Sequence, residues 1–135
     1  MKTEAEARAW VGRHSRAVLA TIKRDGRPQL SHIVYALDDG GLIKISVTRD
    51  RAKTKNLKRD PRATLSIVAE NWSDYLVVEG TCAVHEEDVL PELRRIYERV
   101  RGEPHPNWAE FDAAMLRDGR VVLAITIDRM YPLDR

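Results

Sequence analysis

The residues best suited to chemistry are concentrated in one basic segment, Arg51 to Arg62. It carries six Lys and Arg side chains in twelve residues, RAKTKNLKRDPR, and follows the apolar run Leu42 to Val47. A helix that starts after a strand presents unpaired backbone N–H groups and the positive end of its dipole, and Lys and Arg side chains add full charges. The segment is therefore a candidate site for a phosphate or polycarboxylate group.

Two other interpretations of the basic segment are open from charge alone. Blocks of like charge often serve only as a solvated surface. A basic cluster beside aromatic residues could also follow a single-stranded nucleic acid. The chain as a whole is not strongly basic, because 23 Lys and Arg face 21 Asp and Glu, for a formal net charge of +2. We therefore expect no nucleic-acid partner.

Other residue types that commonly carry chemistry show no supporting pattern. The four histidines lack metal-ligand spacing and no Cys or carboxylate cluster accompanies them, so we expect no metal site. The serines show no nucleophile-elbow pattern, so no catalytic side chain is predicted. His32 could face a ligand or simply end a sheet face. Cys82 lies among apolar residues and is expected to be a buried, inert thiol.

Length and composition predict one globular domain over residues 1–135. Hydrophobic residues make up 43% and charged residues 33%, which are ordinary values for a soluble protein. The single cysteine cannot form an internal disulfide, and the chain shows neither a signal-peptide core nor a run of roughly 20 apolar residues. We therefore expect a cytoplasmic protein that has no membrane association.

Periodicity predicts six strands and four helices that must position the basic segment. Strict alternation indicates strands, and apolar residues at helical spacing indicate helices. The predicted strands are 16–23, 29–37, 42–48, 63–69, 76–84 and 120–127. The predicted helices are 4–13, 51–59, 87–101 and 107–117. The basic segment occupies the second helix, with Asp50 as its expected N-cap and Asp60-Pro61 as its end.

The connections between the strands favour an antiparallel barrel. Asp25-Gly26 and Gly40-Gly41 indicate tight turns, so the first three strands are expected to form a meander. Gly80 is expected to mark a bulge or bend. Six antiparallel strands with peripheral helices predict a small barrel. Because side chains fill a barrel of this size, a cofactor would bind outside it, against a partner subunit.

Three segments carry a resemblance to a known family that extends over nearly the whole chain. They are Val18–Thr21 with Asp25–Ser31, then Arg51–Arg62, then Glu79-Gly80 on a strand. Together they resemble the split β-barrel flavin and deazaflavin oxidoreductases related to pyridoxamine 5′-phosphate oxidase. The closer similarity is to the actinobacterial branch that uses coenzyme F420.

The resemblance implies a mainly β fold with peripheral helices, a six-stranded antiparallel split β-barrel. It also implies an enzyme that transfers a hydride from reduced deazaflavin to a conjugated, quinone-, enone- or tetrapyrrole-like substrate. Members of this family form homodimers, with two cofactor sites in grooves between the subunits. Two alternatives remain open, an FMN-binding oxidoreductase of the same fold and a protein that binds F420 or flavin without turnover.

The resemblance further implies which residues contact the cofactor. The implied phosphate contacts are Arg51, Lys53 and Asn56, with backbone contacts from Ala52 and Thr54. The ring and its polar edge would be bordered by Ser46, Val47, Thr48, Gln29 and Ser31. Trp72 and Tyr75 would come from the other subunit, and Tyr131 would line the groove. Lys55, Lys58 and Arg59 are candidate contacts for the anionic poly-glutamate tail of F420.

Overall fold

The computed structural model describes residues 3–133, which form four helices and eight strands. The helices are α1 (Glu4–Arg13), α2 (Ala52–Arg59), α3 (Leu90–Arg101) and α4 (Trp108–Asp118). The strands are β1 (Arg16–Ile22), β2 (Pro28–Val34), β3 (Ala36–Leu37), β4 (Ile43–Thr48), β5 (Arg62–Val68), β6 (Tyr75–His85), β7 (Arg120–Ile125) and β8 (Arg129–Tyr131).

All strand pairs are antiparallel, and β6 joins the two halves of the curled sheet. The strand order is β2-β1-β5-β6-β7-β4-β3, and β8 pairs with β6. The first part of β6 pairs with β5 and its last four residues pair with β7. Gly80 lies just before this change of partner, and a Cβ there would sit 1.8 Å from the Thr126 carbonyl oxygen. The glycine is therefore needed for close backbone approach at the bend that the sequence predicts.

Alternating side chains fill the interior of the barrel, as expected from its size. Leu19, Ile45, Leu65, Val78 and Leu123 come from five different strands and are almost completely buried. Cys82 belongs to the same apolar cluster, and its burial raises the pKa of its thiol to about 12. The thiol is thus buried and protonated, which agrees with the expected inert role.

The eight strands correct the predicted number of six, although the class of fold is as predicted. The run expected over 29–37 breaks at Tyr35, whose hydroxyl donates to the Val11 carbonyl at 2.7 Å and whose N–H donates to the Ser15 carbonyl. The last predicted strand ends at Ile125, and β8 follows as a separate strand. The predicted meander is confirmed only in part. β2 pairs with β1 and β3 pairs with β4, but β2 and β3 are separate strands and the other neighbour of β4 is β7.

The N-terminal caps of the helices agree with the prediction for α1 and disagree for α2. The Thr3 side chain caps α1 by accepting a hydrogen bond from the Glu6 N–H at 3.1 Å. Arg51, and not the predicted Asp50, occupies the N-cap position of α2, and no described side chain caps that end. The neighbouring Arg49 pairs with Glu86 at 3.3 Å. The start of α2 is therefore uncapped by side chains.

Helices α3 and α4 cover the outer face of the β3-β4-β7 part of the sheet. Leu93, Ile96 and Phe111 pack there against Ala36 and Val122. The buried Lys44 of β4 anchors α3, because its ammonium donates to Glu92 and also pairs with Asp38 at 3.1 Å. The helix pair is thus fixed over the strand that leads into the basic segment.

Within residues 3–133, no helix combines the length and apolar character required to cross a membrane.

Candidate functional site

A cavity of about 590 Å³ lies between β2, β4 and the α3–α4 pair, outside the filled barrel. Its apolar wall is formed mainly by the two helices. The helix residues that line it are Leu93, Ile96, Tyr97, Val100, Arg101, Phe111 and Met115. The strands contribute His32, Ile33, Val34, Ile45, Ser46, Val47 and Thr48. A volume of this size accommodates a small organic ligand.

One part of the cavity is strongly cationic. Arg51, Lys53 and Arg120 line it, and none of the described residues that line the cavity carries a carboxylate. Uncompensated positive charge beside low-dielectric walls attracts and holds anions. The cavity therefore combines an anion-binding region with an apolar wall.

Strand register and a tight turn bring the three cations together. Thr48 ends β4 and lies directly opposite Arg120, the first residue of β7, so both side chains share one face. The Thr48 hydroxyl oxygen accepts a hydrogen bond from Arg51 Nε at 3.2 Å. The Thr48 carbonyl accepts one from the Thr54 hydroxyl at 2.9 Å, which closes the turn into α2. Thr48 is therefore the central residue of the cationic region.

The electrostatics of this region also favour an anion. Burial lowers the pKa of Lys53, and the neighbouring charges of Arg51 and Arg120 lower it further. Nη1 of Arg120 donates to the Ser46 carbonyl at 3.3 Å. Nε of Arg120 is buried and has no hydrogen-bond partner among the described residues. A bound anion would neutralise the mutual repulsion and could accept the unused donors.

Several predicted contact residues lie together in this cavity. Ser46, Val47, Thr48, Arg51 and Lys53 all line it. Ala52 is the exposed first residue of α2, between the two cations in the chain. Thr54 is fully buried, and its hydroxyl serves the turn described above. The basic segment thus presents its first turn to the cavity and not its whole length.

Asn56, Gln29 and Ser31 lie away from the cavity lining. Asn56 is buried, and its Nδ2 donates to the Thr21 hydroxyl oxygen at 3.1 Å. The Thr21 hydroxyl donates in turn to Gln29 Oε1 at 2.9 Å. Ser31 lies opposite Leu19 in the β1–β2 register and so faces the barrel interior. Asn56 and Gln29 therefore stabilise the junction of α2, β1 and β2, and Ser31 faces the interior. None of the three borders the cavity of its own chain.

Trp72, Tyr75 and Tyr131 do not line the cavity of their own chain. Trp72 is 85% exposed, and Tyr75 and Tyr131 are 44% and 42% exposed. Tyr131 of β8 lies opposite Val77 of β6, so the two tyrosines are on neighbouring strands of one face. Within a single chain these aromatic residues contribute nothing to the cavity wall.

The candidate tail contacts are largely occupied within the chain. Lys58 pairs with Glu86 at 3.0 Å. The Arg59 guanidinium donates to the Ile22 carbonyl and to Asn56 Oδ1. Lys55 is exposed on α2. Of these three cations, Lys55 is therefore the best placed to meet a ligand tail without breaking an existing contact.

Arg120 and the helical wall are the parts of the site that sequence reasoning missed. The sequence predicts that a strand begins at Arg120, but nothing local indicates that this strand pairs with β4. The signal would have been the pairing of two runs about 70 residues apart, which places Arg120 opposite Thr48.

Residues 3–133 contain no cluster of three His, Cys, Asp or Glu residues that could hold a metal ion.

Comparison with known proteins identifies the family. A family model described as pyridoxamine 5′-phosphate oxidase matches residues 3–134, and the chain belongs to this family. This confirms the split-barrel fold that the resemblance implies.

Solved structures of similar proteins cover most of the chain. A conserved hypothetical protein from Mycobacterium tuberculosis is 28% identical, with a TM-score of 0.78 over 99% of this chain and 86% of that chain. An F420 reductase is 24% identical, with a TM-score of 0.68 over 91% of this chain and 94% of that chain. A heme binding protein from Mycobacterium smegmatis is 25% identical, with a TM-score of 0.65 over 96% of this chain and 54% of that chain.

Proposed function

We propose that this protein is an F420-dependent oxidoreductase that binds reduced deazaflavin in the cavity beneath α3 and α4. The observation that carries the proposal is the joint presence of Arg51, Lys53 and Arg120 in an apolar cavity lined by no described carboxylate. A deazaflavin cofactor has the matching chemistry, a planar ring joined to a phosphate. The similarity to a protein named as an F420 reductase supports the same choice of cofactor.

The residues present fit such a cofactor at both of its ends. Arg51, Lys53 and the uncapped first turn of α2 would hold the phosphate. The apolar side chains of α3 and α4 would pack on the ring. The half-buried hydroxyls of Ser46 and Thr48 would provide hydrogen bonds at the polar edge of the ring. The phosphate contact predicted for Asn56 is not part of this proposal.

The chemistry divides between the cofactor and the chain. When bound, the reduced deazaflavin supplies the hydride, and the protein needs no catalytic side chain for that step. Arg51 and Lys53 would hold the phosphate, and residues of β4 would border the ring. The helix pair excludes water from one side of the ring, and the side near His32 and Val34 remains open to a substrate or a partner subunit.

We further propose a homodimer whose second copy closes that open side. Leu30 and Val34 on β2, Tyr75 on β6 and Tyr131 on β8 project from the same outer face of the sheet and are 42–62% exposed. Exposed apolar faces of this kind favour association. His32 and Val34 belong both to this face and to the cavity lining, so a partner on the face would cover the cavity. Trp72 and Tyr75 would then reach the partner's cofactor.

Other occupants of the same cavity are possible on specific grounds. FMN carries a similar ring and a phosphate, and would satisfy the same cations. Heme is a second candidate, because the His32 imidazole lines the apolar cavity and two structural relatives are named for heme. A carrier or sensor would bind F420 without turning it over.

The experiment is a parallel titration of the purified protein with F420, FMN and hemin, followed by fluorescence or absorbance. We expect F420 to bind most tightly and Lys53→Ala to weaken its binding by about 1.5–3 kcal/mol through loss of a charge-assisted hydrogen bond. Lys23→Ala, at an exposed lysine in the β1–β2 turn outside the cavity lining, is the matched control. Preferred binding of FMN or hemin would replace the proposed cofactor.

Turnover separates an enzyme from a carrier. Reduced F420 is mixed with the protein and with quinone, enone or tetrapyrrole acceptors, and its reoxidation is followed by absorbance. An enzyme accelerates reoxidation with at least one acceptor class, and a carrier binds the cofactor but leaves the rate unchanged with all of them.

A further inference from the structure

We infer that Arg120 is a ligand of the anion and the residue that makes the cavity select ligands bearing a phosphate over the same ligands without one. The inference rests on the proposed function only for the identity of the ring. The cations of the cavity themselves indicate a phosphate group.

Arg120 is half-buried, and the hydrogen bonding of its buried Nε is incomplete. Its Nε is buried without a hydrogen-bond partner among residues 3–133, and its Nη1 has one long contact to the Ser46 carbonyl. A buried donor without a partner costs folding free energy, because water no longer hydrates it. Such a group is expected where a ligand supplies the missing acceptor.

Other arginines of this chain show what a structural role looks like. Arg94 donates to both carboxylate oxygens of Asp112, and Arg62 does the same with Asp60. Arg99 combines a carboxylate contact to Asp39 with a hydrogen bond to the Leu37 carbonyl. Arg120 has no carboxylate partner among the described residues. The cations Arg51 and Lys53 line the cavity with it, and the repulsion between Arg120 and Lys53 lowers the pKa of Lys53.

The fold holds Arg120 in this position independently of the basic segment. Gly119 ends α4 in the left-handed conformation, with φ of 65°, and its carbonyl accepts the Arg49 N–H at 2.9 Å. The next residue, Arg120, is therefore aligned opposite Thr48 at the start of the β4–β7 ladder. Residues of α2 and of β7 would thus contact the anion from two sides. Two elements that meet around one group define its position better than one flexible segment does.

The test compares FMN and riboflavin, which differ only in the phosphate. F420 and its chromophore without the phosphate and the anionic tail form a second pair. We expect the native protein to bind the phosphate-bearing member of a pair more tightly. Arg120→Gln is expected to reduce that preference by about tenfold or more and to leave the affinity for the phosphate-free member within about twofold. Arg117→Gln removes the same charge from the exposed side of α4 and is the matched control.

A stability measurement separates a ligand role from a structural role. Because Arg120 is repelled by its neighbours and incompletely hydrogen-bonded, Arg120→Gln is expected to retain or raise the midpoint of thermal unfolding without ligand. Inorganic pyrophosphate is expected to stabilise the native protein and to have a smaller effect on the variant. Arg120→Lys keeps the charge but not the forked donors, and should recover only part of the preference.

The possible outcomes distinguish this inference from the proposed function. A preference for FMN over riboflavin that depends on Arg120, together with no binding of F420, would support the inference and reject the deazaflavin. An unchanged preference in Arg120→Gln would overturn the inference. An equal loss of affinity for FMN and riboflavin, together with a lowered midpoint of thermal unfolding, would overturn it as well. A native protein that responds to none of the phosphate-bearing probes would overturn it as well.

Discussion

At the residue scale, the site depends on cations that have no carboxylate to neutralise them. Arg51, Lys53 and Arg120 meet around Thr48, whose hydroxyl and carbonyl oxygens accept hydrogen bonds from Arg51 and Thr54. The basic segment could be recognised from the sequence because its charges are contiguous. Arg120 could not, because its proximity depends on strand pairing. The buried contact of Asn56 with Thr21 was not predicted either, because it depends on how α2 packs on β1.

The first prediction concerns pH and Lys53. Burial and the charges of Arg51 and Arg120 lower the pKa of this lysine, whereas a bound anion favours its charged form. The contribution of Lys53 to phosphate affinity is therefore fully present below the lowered pKa, and is lost as the pH rises through it toward and beyond the ordinary value of 10.5. The measurement is the ratio of the FMN affinity to the riboflavin affinity over this pH range. The contribution of the shared ring to binding cancels in this ratio.

Lys53→Arg is the control for the pH experiment, because a guanidinium keeps its charge throughout the range. The variant should retain the preference for FMN at alkaline pH. A preference that falls equally in both proteins would mean that Lys53 is not the titrating group.

The second prediction separates a structural residue from a binding residue. Asn56 links α2 to β1 by donating to Thr21 and accepting from Arg59. Asn56→Ala should lower the free energy of unfolding by about 1–3 kcal/mol, because buried partners lose a hydrogen bond. It should leave the preference for a phosphate-bearing ligand unchanged. Urea unfolding and ligand titration measure the two quantities.

Lys55→Ala changes the adjacent, exposed position and should alter stability by no more than about 0.5 kcal/mol. If Asn56→Ala is as stable as the native protein but loses the phosphate preference, Asn56 is a phosphate ligand, as the resemblance implies, and its structural role is refuted.

At the element scale, local signals predicted most of the helices and strands, and distant pairings decided how they are arranged. The cap of α1, the turn at Asp25-Gly26 and the stop at Pro61 depend on neighbouring residues and could be read directly. The partner of β4 could not, because β7 lies about 70 residues further along the chain. Tyr35 breaks the second predicted strand through contacts with α1 and Ser15, which no periodicity reveals.

The third prediction uses two glycines that face different surroundings. Gly80→Ala should destabilise the protein by about 1–3 kcal/mol or more, because the new Cβ would meet the Thr126 carbonyl oxygen at 1.8 Å. In Gly12→Ala the new Cβ would be 3.4 Å from Leu37, an ordinary contact, and alanine favours the helix by up to about 1 kcal/mol. Denaturant unfolding of both variants is the measurement.

The same chemical change should therefore lower stability at the bend of β6 and leave it equal or higher in α1. Equal stability of Gly80→Ala and the native protein would show that the chain does not need the close approach between β6 and Thr126.

At the scale of the whole molecule, the open side of the cavity and the exposed face of the sheet are continuous. Packing rules predicted a filled barrel, and the buried interior confirms it. The prediction that a ligand binds outside the barrel follows from this filled interior. The helical wall was not predicted as part of the site, since the sequence indicates amphipathic helices but not the strand on which they lie. The arrangement of two copies is a proposal drawn from this exposed face.

The fourth prediction tests that face. Leu30 is 62% exposed on the outer face of β2. Leu30→Glu should convert a dimer into monomers, because a charge would be placed in an apolar contact between copies. Leu116→Glu, at a 68% exposed leucine of α4 away from that face, is the matched control and should remain dimeric. Sedimentation equilibrium measures the mass in solution, and a native protein that is monomeric at all concentrations would reject the dimer.

The central claim is that the cavity binds a deazaflavin, and calorimetric titration with F420 tests it most directly. We predict one F420 per chain with an affinity in the micromolar range or tighter, and clear weakening in Lys53→Ala but not in Lys23→Ala. The absence of binding to a folded protein, or binding that both variants retain in full, would contradict the account.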